Sequence, residues 1–61
     1  MPMIQITLLQ GRSSEMRHRL IAEVSTAAAE ALEIPIEKVT VALYEVPADN
    51  YGTAGTARAL T

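Results

Sequence analysis

Two short apolar runs flank one long helical stretch, and that order leaves few folds open to this chain. Met3 to Leu9 alternate as a strand does. Ile4, Ile6 and Leu8 fall on one face; Met3, Gln5, Thr7 and Leu9 fall on the other. The first face is wholly aliphatic and is expected to meet a helix. The second is mixed and suits a subunit contact or a site wall. Gln10-Gly11-Arg12-Ser13 breaks the strand, with Gly11 permitting a tight turn. Ser13 is placed to cap a helix, and Glu15 suits the positive end of its dipole. The helix is predicted to run to about Leu32 on a stripe of Met16, Leu20, Ile21, Val24, Ala27, Ala28, Ala31 and Leu32, with Arg17, Glu23 and Glu30 outside it. Pro35 disfavours helical geometry at Ile34. A second strand is predicted over Val39 to Glu45. There Val39, Val41, Leu43 and Glu45 share one face, and Thr40, Ala42 and Tyr44 the other. Lys38 joins the Thr40 face if the strand already begins at that residue.

Two strands joined by one crossover helix are parallel, and the connection is right-handed. The fold class expected is therefore α/β: a small β-α-β unit with two parallel strands and one crossover helix. Such a unit cannot stand alone, because its open sheet face and strand edges need covering. Length gives the same answer. A chain of 61 residues forms one domain, and a domain this short buries only about 60% of its unfolded surface. Cysteine is absent, so disulfides and thiolate metal sites are excluded. The single histidine, His18, cannot build a zinc site without several carboxylates. Oligomerisation is the remaining way to stabilise a scaffold of this size. The tail from Val46 to Thr61 is rich in turn formers. Its segment Tyr51-Gly52-Thr53-Ala54-Gly55-Thr56 is expected to form a short C-terminal hairpin or an arm.

The formal net charge is −2 and no basic stripe is present, so nucleic acid is not an expected partner. No apolar run approaches the roughly 20 residues of a membrane span, and no signal peptide precedes the first strand. A cytoplasmic protein without a membrane partner is the expectation.

Pro2 carries the candidate chemistry. Removal of Met1 would leave Pro2 as the N-terminus with a secondary amine, which is a base. Burial or neighbouring cations lower the pKa of such an amine toward neutrality. By itself, a proline at the first residue of a strand also has a purely structural explanation, since the N–H it lacks need not be paired there.

Taken together, these features resemble the tautomerase superfamily, in particular the small 4-oxalocrotonate tautomerase (2-hydroxymuconate tautomerase) group. The resemblance rests on Met1-Pro2, the aliphatic first strand, Gly11-Arg12-Ser13, Leu20-Ile21, Glu23-Val24-Ser25, Pro35, the strand from Val39 to Glu45, and Tyr51-Gly52. It covers nearly the whole chain and implies a single tautomerase-like β-α-β domain over residues 1–61. It also implies self-association, as a homohexamer built from three dimers, and a cofactor-independent keto–enol isomerase acting on a small-molecule enol or keto acid such as 2-hydroxymuconate. No cofactor and no metal is expected.

By the same resemblance Pro2 is the general base, taking the 2-hydroxyl proton of a dienol acid and returning it to carbon. Arg12 matches an arginine that binds a substrate carboxylate, for which the guanidinium fork is suited. Tyr51 matches an aromatic residue that walls the proline. Thr40 stands where the family carries a second arginine, supplied by a neighbouring subunit. Losing that donor should weaken stabilisation of the developing dienolate, which for one preorganised donor is often about 3–4 kcal/mol. Lys38 is an auxiliary candidate to replace it, as a point charge without the bidentate fork, and Arg58 is another. Leu9 stands where haloacrylate dehalogenases of the family use an additional arginine. The alternatives are a related enzyme on a different substrate, for instance a monocarboxylate, or a non-catalytic oligomer if Met1 is retained.

Overall fold

The computed structural model describes residues 2–60, with the side chain of Leu60 excepted, so Met1 and its removal lie outside the described residues. Strand β1 (Met3–Leu9) leads through a turn into helix α1 (Ser14–Leu32), and strand β2 (Thr40–Val46) follows. β1 and β2 pair in parallel from Met3↔Thr40 to Leu9↔Val46. This is the expected small β-α-β fold.

Local chemistry explains the helix ends. The Ser13 hydroxyl accepts a hydrogen bond from the Met16 N–H at 3.1 Å, satisfying one of the free donors of the first turn. At the other end Glu33 takes a left-handed conformation, φ 55°, which costs a non-glycine residue about 1–2 kcal/mol. In return the Glu33 and Ile34 N–H groups both reach the Ala29 carbonyl. Pro35 then forbids further helix. A short 3₁₀ turn over Ile36–Lys38 follows.

That turn moves the second strand by one residue. The Val39 N–H bonds the Ile36 carbonyl at 3.0 Å and so closes the turn instead of joining the sheet. The strand starts at Thr40 and ends at Val46, not Val39 to Glu45. Lys38 is consequently a turn residue and does not share the Thr40 face of a strand.

The helix stripe is also rotated from its expected position. Arg17, Leu20, Ile21, Val24, Ser25 and Ala28 are half-buried and Ala29 is buried, whereas Met16 and Leu32 are each 56% exposed and Ala27 and Ala31 are exposed. α1 packs mainly on β2. This brings Arg17 over the sheet, where it meets Glu45 on the helix-facing row of β2.

The two sheet faces divide as the alternation predicts. Ile4, Ile6 and Leu8 of β1 are half-buried, in register with Val41, Leu43 and Glu45. The opposite face carries Met3, Gln5, Thr7 and Leu9 beside Thr40, Ala42, Tyr44 and Val46. Met3 is 58% exposed and Tyr44 47% exposed on it. The Gln5 amide donates to the Tyr44 hydroxyl at 3.3 Å.

Beyond β2, a 3₁₀ turn (Ala48–Asn50) leads to a hairpin of β3 (Gly52–Thr53) and β4 (Thr56–Ala57). The expected hairpin therefore forms. Its two linking residues, Ala54 (φ 54°) and Gly55 (φ 84°), both have positive φ, as a type I′ turn requires. The Arg58 N–H closes its base on the Tyr51 carbonyl at 2.6 Å.

A single copy has little interior. Among the described residues only Ala29 is a buried hydrophobic. The accessible surface is 4639 Å², against about 3,900 Å² for a compact monomer of this mass. The radius of gyration is 14.3 Å, against about 10.5 Å for a compact chain of this length.

Candidate active site

Parallel pairing decides where the candidate residues fall. Both strands enter the sheet from the same end, so the residues preceding β1 and β2 are neighbours. Pro2 is half-buried there, and its carbonyl accepts the Thr40 N–H at 3.1 Å. Thr40 is exposed beside it. Lys38 is exposed in the adjoining turn, with its backbone N–H bonded to the Pro35 carbonyl at 3.0 Å. Its ammonium forms no ion pair among the described residues.

Arg12 lies at the opposite end. It follows β1 in the Gly11 turn, whose entry is fixed by the Gln10 N–H on the Val46 carbonyl at 2.9 Å. Gly11 has φ 132°, a conformation that side chains rarely adopt. Arg12 is exposed, and Nη1 donates to the Leu9 carbonyl at 3.2 Å. Only one of the five guanidinium donors is engaged by that bond. Tyr51 is half-buried and also follows from this end, because β2 leaves the sheet at Val46. The stretch 47–50 is folded as a turn and is too short to carry it back along the strand.

Seven paired residues at about 3.3 Å each separate the two ends by roughly 20 Å. One chain thus brings Pro2, Thr40 and Lys38 together, but leaves Arg12 and Tyr51 far from Pro2. A groove of about 270 Å³ beside Arg12 is lined by Arg12, Met16, Arg19, Leu20 and Glu23. It contains neither Pro2 nor Thr40 nor Tyr51. Arg19 Nε donates to Glu23 at 2.6 Å, and that hydrogen bond and the carboxylate charge raise the Arg19 pKa. Among the described residues no cluster of histidine and carboxylate side chains is arranged to hold a metal ion, and no helix is long and apolar enough to cross a membrane.

Arg17 was placed outside the helix stripe by the sequence pattern, yet it builds the Arg12 end. Nη1 donates to the Arg12 carbonyl at 2.7 Å and faces Glu45 at 3.5 Å, and Nη2 donates to the Ser14 hydroxyl at 2.9 Å. A signal was available. Glu45 is the one charge in the aliphatic row of β2, and a half-covered carboxylate needs a cationic partner.

Known proteins give this arrangement a context. The family described as tautomerase enzyme matches residues 2–59. A 2-hydroxymuconate tautomerase from Pseudomonas putida is 44% identical over 55 residues, covering 90% of this chain and 87% of the relative. A probable tautomerase from Ralstonia nicotianae is 46% identical over 55 residues, covering 90% and 79%. Among solved structures, TomN, a 4-oxalocrotonate tautomerase homologue of the tomaymycin biosynthetic pathway, superposes with a TM-score of 0.94 at 36% identity, covering 97% of this chain and 91% of that one. A heterohexameric 4-oxalocrotonate tautomerase from Chloroflexus aurantiacus also gives 0.94 at 36% identity, covering 97% and 95%. This kinship, over nearly the full length of the chain, supports an isomerase activity of the tautomerase kind. The chain belongs to the tautomerase family.

Proposed function

We propose that the protein is a cofactor-independent keto–enol tautomerase of small enol acids, with Pro2 as its base once Met1 is removed. The observation that carries this reading is the seat of Pro2. Its carbonyl is tied to the Thr40 N–H and its ring is half-buried at the mouth of the sheet. A neutral pyrrolidine nitrogen in that position takes the 2-hydroxyl proton of a dienol acid. The electron pair of the O–H bond becomes the carbonyl, the diene shifts, and the same proton is delivered to carbon. Atoms and charge balance without a metal or a redox partner. The amine must be neutral for the first step, and a site walled by apolar groups with a cation nearby favours that form.

The distance from Pro2 to Arg12 makes the site a product of assembly. Arg12 and Tyr51 from other copies approach the Pro2 end, the arginine to grip a carboxylate and the tyrosine ring to exclude water. The uncovered sheet face and the excess surface of one copy support association, with the homohexamer as the form proposed. Each copy is one domain over residues 1–61, and the cytoplasm is its proposed location.

Thr40 shapes substrate preference. It is short and uncharged where a second clamp would help a diacid. Lys38 lies in the turn that leads into Thr40, and it supplies a point charge there. A substrate with one carboxylate fits this end better than 2-hydroxymuconate does. Met1 retained on the chain would make the Pro2 nitrogen an amide and remove the base. The test is in two parts. Intact mass of the native protein should lack one methionine residue, and ketonisation of 2-hydroxymuconate, followed by ultraviolet absorbance, should exceed that of Pro2→Ala. Rates equal to Pro2→Ala would exclude this chemistry on that substrate.

A further inference from the structure

Arg17 is tied to the turn that carries Arg12 more firmly than to anything the fold requires. We infer that Arg17 and Glu45 form a brace that positions Arg12 for the distal carboxylate of a diacid substrate, an inference that rests on the proposed role of Arg12. The Gly11 turn has little of its own to hold it. Gly11 has φ 132° and an added Cβ would meet nothing within 4 Å, so that side of the turn is open. The Arg12 side chain is exposed. Its carbonyl is held by a charge-assisted bond from Arg17 Nη1 at 2.7 Å, within the range of the stronger protein hydrogen bonds.

The same guanidinium reaches in two further directions. Nη2 bonds the Ser14 hydroxyl at 2.9 Å, on the first residue of α1. Nη1 also faces Glu45 Oε2 at 3.5 Å, on β2. One planar fork thus links the turn, the helix start and the second strand. Lysine has the charge but not the fork, and cannot make the three contacts at once.

Exposure separates positioning from mere stability. The Arg17 and Glu45 side chains remain 28% and 29% exposed, and their separation of 3.5 Å is long. Pairs of this kind add little to folding. Their geometric effect is greater, because a small misplacement of a carboxylate-binding group weakens its grip on the substrate. Glu45 keeps the Arg17 fork turned toward the turn. Without it the guanidinium is free to swing to solvent, and the Arg12 carbonyl loses its donor. Arg17 is on this account a positioning residue, not a catalytic one.

Steady-state kinetics on two substrates test it. One is the diacid 2-hydroxymuconate; the other is 2-hydroxypenta-2,4-dienoate, which lacks the distal carboxylate. Arg17→Met should lower the diacid-to-monoacid ratio of kcat/KM by about tenfold, through KM for the diacid, with kcat little changed. Glu45→Gln should do the same more weakly, and Arg17→Lys should recover part of the loss. In an Arg12→Ala background Arg17→Met should change nothing further, since the two act as one unit. Circular dichroism checks that each variant folds, and Arg17→Lys serves if Arg17→Met does not. Equal losses on both substrates would mean a merely structural role and overturn the brace. So would a loss of diacid preference in Arg12→Ala without one in Arg17→Met, which leaves the Arg12 reading intact. If Arg12→Ala itself leaves that ratio unchanged, Arg12 does not grip the distal carboxylate and the brace fails with it.

Discussion

The two ends of the small parallel sheet are built differently. At one end Pro2, Thr40 and Lys38 gather because parallel strands start together. That end offers a proline ring, a hydroxyl and one cation without an ion pair among the described residues. At the other end Arg12 follows a glycine turn and its carbonyl accepts from Arg17, which is itself bonded to Ser14 and Glu45. On the proposed reading one end carries the proton-transferring group with little around it, and the other a supported anion grip with nothing to react. Some 20 Å of strand keeps them apart in one copy. In so short a chain a complete site need not be a property of the single copy. On the proposed reading each copy supplies two half-sites, and association joins unlike halves.

The largest effect expected falls on the base end. Pro2→Ala, with the new N-terminus free, removes the pyrrolidine base and should lower kcat/KM by about 100-fold or more. Arg12→Ala attacks the other end and should lower kcat/KM for a diacid by about 10- to 100-fold, mainly through KM, since it removes charge-assisted carboxylate binding. If Arg12→Ala costs as much on kcat as Pro2→Ala does, the division into base and grip is wrong. Thr40→Arg returns a second guanidinium to the base end. It should improve kcat/KM for 2-hydroxymuconate by roughly tenfold, a fraction of the full worth of a preorganised donor. No gain there would mean that Lys38 or another group already serves the substrate oxygens.

The smallest effect belongs to neither end. Ala54→Asn places a residue tolerant of positive φ at the first position of the hairpin turn. It should stabilise the protein by up to about 1 kcal/mol, visible as a higher Tm, while kcat/KM stays within twofold. A larger change in kcat/KM would mean that the hairpin shapes the site directly.

Much of this was legible in the sequence, for reasons that can be named. β1 was readable to the residue because a strict alternation is bounded by Pro2 and by Gly11. The helix was readable at its start because Ser13 is a capping residue and at its end because Pro35 forbids continuation. What escaped was set by tertiary contact. Val39 has a strand-like side chain, but its N–H is used to close the Ile36–Lys38 turn, so the strand begins later and Lys38 leaves it. Arg17 looked like a solvent-facing charge because periodicity weighs hydrophobicity alone, whereas its alignment over β2 is determined by Glu45 across the fold. The identities of Pro2, Arg12, Thr40 and Tyr51 as candidates were legible from the motifs. Their separation followed only when the parallel register was known, because register turns sequence order into distance.

Subunit mixing tests the split site most directly. Pro2→Ala and Arg12→Ala chains, each feeble alone, are unfolded together in equal amounts, refolded and assayed for 2-hydroxymuconate ketonisation. Where Pro2 and Arg12 come from different copies, random assembly pairs an intact Pro2 with an intact Arg12 in about a quarter of the sites, and activity should recover to about that fraction of wild type. No recovery, with the mixed oligomers shown to form, would place both residues in a site made by one chain and contradict the account.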